Sequence, residues 1–409
     1  MKSSYKTWPV LWKYLGGTAT SRAGDEMTGP ALLLLGFAVT GRPGTGSALL
    51  AGLTVAAAVG GPVFGVLMDR SPRPDRVLTA TLSAYALGII AVAAAVGRLP
   101  VPLVILMALA AGLFNPAVAG GWTSQLPRIV TGTVLGRGFA LDAMTYSAAS
   151  LAGPALAAVI AAALGARAAA VIAAALVALA VPSACSLSRN PAAQDGGPRS
   201  VPRRQVAAGF AAILNRRPLL RATVTSVVSY AGIGMLLVCC PVLGAQRLGG
   251  SARGALLISA IAAASLIANG ILARRSPRGQ PDARVLAGTL VIGVSMAAAA
   301  LLPSGAPGWL TMAAVALGGA GEGPQLTALF AVRHRESPEH LRGQIFTTAA
   351  SLKVGGLAAG AALAGPLAGR SVTACLLMAA GFELCAAAAY VLAGSRRRWL
   401  AAGTTLRSE

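Results

Sequence analysis

The chain has 409 residues, of which 56% are hydrophobic and only 11% are charged, whereas soluble domains average about 25% charged residues. This composition excludes a large soluble domain and places the chain in a lipid bilayer. The formal net charge of +22 comes from basic residues in short runs at the ends of apolar segments. Because they form no continuous basic patch, nucleic-acid binding is not indicated.

Twelve apolar segments follow one another along the chain, and each is long enough to form a membrane-spanning helix. The pattern predicts an all-α integral membrane protein with twelve transmembrane helices. We call the segments spans 1 to 12; they cover residues 9–39, 46–68, 76–97, 100–124, 137–164, 166–187, 218–244, 251–273, 284–303, 307–332, 343–368 and 371–394.

One polar interval, "SLSRNPAAQDGGPRSVPRR", separates the first six spans from the last six. Its Pro, Gly and charged residues are typical of a linker without a core of its own. The sequence "RRQVAAGFAAILNRR" at its end is apolar on one face and flanked by Arg, as in a helix at the membrane interface. The predicted regions are a first half at 1–187, a cytoplasmic linker at 188–217, a second half at 218–395 and a cytoplasmic tail at 396–409.

Loops rich in arginine alternate with loops that hold isolated cations. Lys and Arg in short loops mark the cytoplasmic side of a membrane protein. With an even number of spans, both termini are therefore expected in the cytoplasm, and the chain in the cell membrane. The five cysteines lie in or beside apolar segments without disulfide or zinc spacing. We interpret them as packing residues and predict neither a metal nor another cofactor.

The two halves resemble each other in sequence. "GVLMDRSPRPDRVL" begins at Gly65, and "GILARRSPRGQPDARVL" begins 205 positions later at Gly270. A parallel repeat of two six-helix halves, related by an axis along the membrane normal, is indicated. The same offset also pairs Thr20 and Ser21 with Thr225 and Ser226, Gly29 with Gly234, Arg42 with Arg247, and Arg137 and Gly138 with Arg342 and Gly343.

With this repeat of two six-helix halves, the chain resembles the major facilitator superfamily of secondary transporters. The loop between spans 2 and 3 is similar to the family pattern G-x-L-x-D-R-x-G-R-R, although Pro72 replaces a glycine. Span 5 contains "SAASLAGPALAA", which looks like the Gly-Pro motif of the drug-exporting antiporters in this family. The resemblance implies roles in gating for the matching residues, which include Asp69, Arg70, Arg73, Gly153 and Pro154.

Three charges interrupt span 1 within five positions: Arg22, Asp25 and Glu26. A charge at the bilayer centre costs about 2.5–3.5 kcal/mol on insertion scales, so such residues point to function. Either carboxylate can lie beside the guanidinium on one helical face. Since one arginine cannot neutralise both acids equally, we predict that the other acid binds the transported proton and that Arg22 determines which one. The alternative, in which Arg22 only satisfies two buried acids, stays open.

Span 10 contains a carboxylate in a glycine-rich sequence, "GGAGEGPQLTALF", with Glu322 between two glycines and before Pro324. This pattern predicts a helix that is weakened beside the carboxylate, as expected where backbone lines a cavity. Span 4, its counterpart, breaks at Asn115 and Pro116. The resemblance implies that spans 1, 4, 7 and 10 line the central cavity. We therefore predict that Glu322 and Asn115 contact the substrate, together with Tyr230, which the repeat places at the position of Asp25. Alternatively, Gly and Pro here only permit close packing or bending.

Two further charges interrupt spans 11 and 12. Lys353 is predicted to be a counter-ion for Glu322 or Glu383, or to bind an anionic group of the substrate. Span 12 is peripheral in the family, so Glu383 is interpreted as a structural residue.

A gate is predicted where the first repeat meets the start of span 11. The resemblance implies that Asp69 contacts this helix N-terminus, where an anion is favoured, when the transporter is open to the outside. The repeat puts Arg274 at the place of Asp69. We therefore predict an ion pair between Arg274 and Asp142, near the start of span 5. The alternative is that Arg274 is only an orientation signal and Asp142 is solvated.

These observations predict a proton-coupled transporter that exports small, fairly apolar organic compounds, such as drug-like molecules or secondary metabolites, by alternating access. Its partners are the substrate, protons and the bilayer, and the chain is expected to be a monomer. Two alternatives remain: an importer or uniporter of a small metabolite on the same fold, and a membrane-embedded transferase. The transferase is disfavoured because it needs clustered acids, whereas Asp75 and Asp282 are each flanked by arginines instead.

Overall fold

The computed structural model describes residues 4–187, 202–275 and 280–405, and within them it contains helices and turns but no β-strand. Residues 188–201 of the predicted linker, Arg278 and residues 406–409 lie outside the described residues. The α-helices are α1 (Ser4–Thr40), α2 (Pro43–Arg70), α3 (Pro74–Ala95), α4 (Val101–Gly112), α5 (Gly120–Ile129), α6 (Leu135–Leu164), α7 (Ala166–Leu179), α8 (Val181–Cys185), α9 (Pro202–Asn215), α10 (Arg217–Arg247), α11 (Gly254–Arg275), α12 (Pro281–Leu301), α13 (Gly308–Glu336), α14 (Arg342–Ala368) and α15 (Val372–Thr405).

Ten helical segments of the described chain are long and apolar enough to cross a membrane. The helices α1 and α13 are not among these ten. They are the helices that carry the polar residues of interest, Arg22, Asp25 and Glu26 on α1 and Glu322 on α13. The all-α membrane fold is thus confirmed, and ten of the twelve predicted spans meet the criteria of length and apolar composition.

Two helix irregularities were predicted, and the structure contains one of them. The segment corresponding to span 4 is interrupted: α4 ends at Gly112, a 3₁₀ turn covers Asn115–Ala117, and α5 begins at Gly120. In contrast, α13 continues unbroken past Pro324. The glycines of α13 permit close packing, because a Cβ on Gly321 would lie 2.8 Å from the Gly288 carbonyl oxygen on α12.

The chain divides into two compact units. Unit 1 comprises the described residues of Met1–Gly209, Ser265–Arg278 and Pro338–Gly355, and unit 2 those of Phe210–Ala264, Gly279–Ser337 and Gly356–Glu409. The halves predicted from the sequence differ from these units, because short parts of α11 and α14 group with unit 1. The helix α9 lies where the sequence predicts an interfacial helix, and α15 extends to Thr405, into the predicted tail.

Each unit has a core of its own that consists largely of small and medium apolar side chains. In unit 1, alanines such as Ala31, Ala93 and Ala169 pack with Leu32 and Val92. Small residues let helix backbones approach closely, which is how helices associate within a bilayer. The core of unit 2 contains three of the five cysteines, consistent with their interpretation as packing residues: Cys239, Cys240 and Cys375.

Candidate proton and substrate sites

A buried ion pair connects α1 and α6 in unit 1. Arg22 Nη1 lies 3.0 Å from Asp142 Oδ1 and donates to the Asp142 carbonyl oxygen at 2.7 Å. Arg22 is 2% exposed and Asp142 is fully buried. Tyr14 Oη donates to Asp142 Oδ1 and Thr123 Oγ1 donates to Oδ2, both at 2.8 Å. Arg22 also donates to Thr145 Oγ1. The two charges therefore compensate each other inside a shell of further hydrogen bonds.

The prediction that Arg22 pairs with Asp25 or Glu26 is wrong, since its guanidinium is bound to Asp142. The partner of Arg22 lies on another helix. Asp142 on α6 presents two carboxylate oxygens and a carbonyl oxygen to the guanidinium, and the local sequence of α1 does not show which helix lies opposite Arg22.

Asp25 is hydrogen-bonded to uncharged groups. Its Oδ1 accepts from Tyr85 Oη on α3 at 2.5 Å and from Asn115 Nδ2, in the turn after α4, at 2.6 Å. Among the residues that the structure describes, no Lys or Arg forms a salt bridge with Asp25. Sequence reasoning found Asp25 and Asn115 but missed Tyr85, although this residue is the single tyrosine of span 3.

Glu26 lies at a close contact between α1 and α6. Ser150 Oγ on α6 donates to Glu26 Oε1 at 2.9 Å. A Cβ on Gly153 would lie only 2.6 Å from Glu26 Cβ. The helices therefore meet at this point because residue 153 has no side chain, and Pro154 follows it inside α6. The roles of Gly153 and Pro154 in gating remain predictions.

Lys353 lies near the Arg22–Asp142 pair in unit 1. Its Nζ is 5.2 Å from the centroid of the Tyr146 ring on α6, and Arg22 Cζ is 3.6 Å from the same centroid. Both distances are within the range of cation–π interactions. Whether Lys353 acts as a counter-ion or binds an anionic group remains a prediction.

In unit 2, two of the predicted substrate residues contact each other. Tyr230 Oη on α10 donates to Glu322 Oε1 on α13 at 3.1 Å. Tyr230 is buried, whereas Glu322 is only partly buried. The preceding residue on α10, Ser229, donates to Glu383 Oε1 on α15 at 2.9 Å. Two carboxylates thus lie beside one short stretch of α10.

The predicted contact between Asp69 and the start of span 11 is present. Asp69 Oδ1 accepts from the Gly343 backbone N–H and Oδ2 accepts from the Gln344 N–H, both at 2.8 Å. These N–H groups belong to the first turn of α14 and have no partner within the helix. Of the other residues in the loop motif, Arg70 is exposed and Arg73 is partly buried. Their part in gating remains a prediction.

The predicted ion pair between Arg274 and Asp142 is not formed. Arg274 is exposed at the end of α11, and Asp142 is fully buried with Arg22 as its cation. Asp142 lies about two turns inside α6 and is fully buried, so the exposed Arg274 does not reach it. Instead it is neutralised by the buried arginine of α1.

Apolar helices long enough to cross a bilayer, one of them interrupted beside the partly buried carboxylate of Asp25, are typical of a helical membrane transporter. Residues 14–361 match the Major Facilitator Superfamily. The chain belongs to this superfamily, and the resemblance noted in the sequence is confirmed at the level of the superfamily.

Solved structures of several transporters have the same fold. The human organic anion transporter MFSD10 (TETRAN) is 17% identical with a TM-score of 0.74, over 94% of this chain and 99% of that chain. The proton:xylose symporter XylE is 13% identical with a TM-score of 0.75, over 95% of both chains. The E. coli fucose:proton symporter FucP is 13% identical with a TM-score of 0.70, over 94% of this chain and 98% of that chain. No curated protein matches the sequence.

Proposed function

We propose that this protein is a proton-coupled secondary transporter that exports small, fairly apolar organic compounds by alternating access. In this proposal it is a twelve-span monomer of the cell membrane with both termini in the cytoplasm. The membership of the superfamily supports transport as such.

The hydrogen bonds of Asp25 are the observation that supports proton coupling most strongly. The nearby positive charge of Arg22 is bound to Asp142, and among the described residues the hydrogen-bond donors to Asp25 are the uncharged groups of Tyr85 and Asn115. Both donors bind Oδ1, which leaves Oδ2 to take up a proton without breaking either hydrogen bond. An intramembrane carboxylate in such surroundings is the kind of group that transporters use as a proton relay. We therefore favour Asp25 over Glu26 as the proton-binding residue.

A proton on Asp25 would neutralise the negative charge of this side chain beside the interrupted helix of span 4. Such a change biases an equilibrium between two conformations if the protonated form prefers one of them. A pH difference of one unit supplies about 1.4 kcal/mol per proton. This energy is comparable with the typical coupling energy between two binding sites, about 1–3 kcal/mol.

The proposed substrate residues are Glu322, Tyr230 and Asn115. A carboxylate and a phenol among apolar helices favour an organic compound with a cationic or hydrogen-bond-donating group. The structural neighbours carry cargoes as different as organic anions and sugars, according to their names. Since they are less than 20% identical to this chain, their substrates are not transferred to it.

Export is supported by the Gly153–Pro154 sequence, which resembles the motif of the drug-exporting antiporters. In the structure this glycine permits the close contact between α6 and Glu26 on the proposed proton helix. The motif and the proposed proton-binding helix are thus in direct contact.

The experiment that tests the proposal is efflux of a panel of fluorescent amphipathic cations from a transporter-deficient host, with and without an uncoupler. Asp25→Asn should abolish efflux driven by the pH gradient but retain exchange of compound down its own gradient. Glu339→Gln is the matched control, because its side chain is 74% exposed and should leave efflux unchanged. Efflux that still responds to the pH gradient in Asp25→Asn would show that Asp25 is not the coupling residue. Accumulation instead of efflux would indicate an importer.

A further inference from the structure

A second carboxylate lies deep in unit 2. Glu383 on α15 is 1% exposed, and its Oε1 accepts a hydrogen bond from Ser229 Oγ at 2.9 Å. Its other oxygen, Oε2, is buried and has no hydrogen-bond partner among the described residues. Two glycines make room for the side chain. A Cβ on Gly232 would lie 3.3 Å from Glu383 Oε1, and a Cβ on Gly293 would lie 3.1 Å from Glu383 Cβ.

Neutral hydrogen bonds connect Glu383 with the neighbouring helices. Gln325 Nε2 on α13 donates to Ser229 Oγ at 3.2 Å and to Thr289 Oγ1 on α12 at 2.7 Å. Gln325 and Thr289 are both fully buried. Four helices therefore meet in this network. The helix α15 contributes the Glu383 carboxylate, and α10, α12 and α13 contribute hydroxyl and amide groups.

The charged residues around Glu383 decide whether its carboxylate has a counter-ion. Among the described residues, no Lys or Arg forms a salt bridge with Glu383. On α10 and α12, Arg221 and Asp282 bind each other. Glu322 on α13 is the charged residue that interacts electrostatically with Glu383, and it accepts a hydrogen bond from Tyr230 on α10. The charge that Glu383 faces is therefore another carboxylate.

An ionised carboxylate in this position is unfavourable, because it is buried, has no salt bridge to a cation among the described residues and is repelled by a second acid. A negative charge on one of two neighbouring acids disfavours ionisation of the other. We propose that Glu383 is a second proton-binding site, with the proton on Oε2, and that Glu322 carries the negative charge of the pair. The proton on Glu383 thereby keeps Glu322 in the form that binds a cationic substrate. Only this last step rests on the proposed function.

The proton on Glu383 is measured directly by difference infrared spectroscopy of the purified full-length protein in lipid, across a pH jump from neutral to alkaline. We expect the carbonyl stretching band of a protonated carboxylic acid, in wild type and in an Asp25→Asn background. Glu383→Gln should remove the band in that background, whereas the matched variant Glu322→Gln should retain it. The band should survive whatever Asp25→Asn does to transport, so a failure of this proposal and a failure of the proposed function are distinguishable.

Two results would overturn the assignment. One is the absence of a protonated-acid band at neutral pH in the Asp25→Asn background. The other is a band that persists in Glu383→Gln and disappears in Glu322→Gln, which would place the proton on Glu322. If Glu383→Gln does not fold, Ser229→Ala serves instead, because loss of the donor to Oε1 should shift the band in frequency without removing it. An unshifted band in that variant would contradict the assignment.

Discussion

At the level of single residues, the Arg22–Asp142 pair organises the charges of α1. Burying two charges removes them from water, and their attraction offsets this cost only with good geometry and further hydrogen bonds. Here Tyr14 and Thr123 donate to Asp142, and Arg22 also donates to the Asp142 carbonyl oxygen. The pair is therefore a structural connection between α1 and α6. It leaves the neighbouring Asp25 with neutral donors.

Asp142→Asn should destabilise the protein strongly, because it leaves Arg22 as a buried cation without its anion. Breaking one side of a buried ion pair typically costs about 3–5 kcal/mol. Thermal unfolding of the purified protein measures the change. The double variant Arg22→Gln with Asp142→Asn should recover part of the loss, since it removes both charges. If the two single losses simply add, the pair does not contribute as a unit.

Gly153→Ala should weaken the protein at the contact between α1 and α6. The new Cβ would lie 2.6 Å from Glu26 Cβ, a separation that forces the helices apart. We expect a lower unfolding temperature and slower efflux. The matched control is Gly365→Ala on α14, where a Cβ meets nothing within 4 Å. Equal effects of the two substitutions would show that the close contact at Gly153 does not matter.

The residues of these sites could be selected from the sequence, but their partners could not. A charge in an apolar segment is visible from composition alone, which is why Arg22, Asp25 and Glu322 were found. Partners depend on the direction in which a side chain leaves its helix and on which helix lies opposite. The sequence therefore missed the pairing of Arg22 with Asp142 and the hydrogen bond from Tyr85 to Asp25.

At the level of secondary structure elements, Asp69 at the end of α2 caps the first turn of α14. Its two oxygens accept from two backbone N–H groups that the helix itself leaves unpaired. An anion at a helix N-terminus is also favoured by the helix dipole. The end of α2 and the start of α14 are therefore held together by one side chain.

Asp69→Asn should loosen this contact, because the amide has one acceptor oxygen where the carboxylate has two. Loss of a capping acceptor costs about 0.5–2 kcal/mol. Hydrogen exchange of the Gly343 and Gln344 amides should therefore become faster, and transport should be impaired if this contact is a gate. Glu339→Gln, on the exposed turn before α14, is the control. Unchanged exchange at these two amides would show that Asp69 does not stabilise the start of α14.

The helices themselves follow from apolar length, and the sequence predicted them well. The interruption at Asn115 was also predictable, because Pro116 cannot donate a backbone hydrogen bond. By contrast, α13 continues through Pro324, although the same reasoning predicted a weakened helix. Proline is tolerated inside a membrane helix where neighbouring helices and local adjustments satisfy the freed backbone groups. Whether they do so depends on the surrounding helices, which the local sequence does not specify.

At the level of the whole molecule, the two halves carry similar polar pairs with the roles exchanged. In unit 1 the carboxylate is on α1, as Asp25, and Asn115 donates to it from the segment of span 4. In unit 2 the donor is on α10, as Tyr230, and the carboxylate is Glu322 on α13. The repeat aligns Tyr230 with Asp25. We therefore propose that the carboxylate of the first half, Asp25, couples the proton, and that the carboxylate of the second half, Glu322, contacts the cationic group of the substrate.

This division of work predicts opposite phenotypes for two conservative substitutions. Glu322→Gln removes a negative charge from the proposed substrate site while retaining the acceptor for Tyr230. It should therefore change which compounds are exported and weaken the transport of cationic compounds most, whereas efflux of the remaining compounds still depends on the pH gradient. Asp25→Asn should abolish that dependence for every compound and leave the order of preference in downhill exchange unchanged. The measurement is efflux of a matched set of cationic and neutral compounds at several imposed pH differences. An unchanged substrate profile in Glu322→Gln would show that Glu322 has a structural role and does not contact the substrate. A loss of pH dependence in that variant would contradict the assignment of proton coupling to Asp25 in the first half.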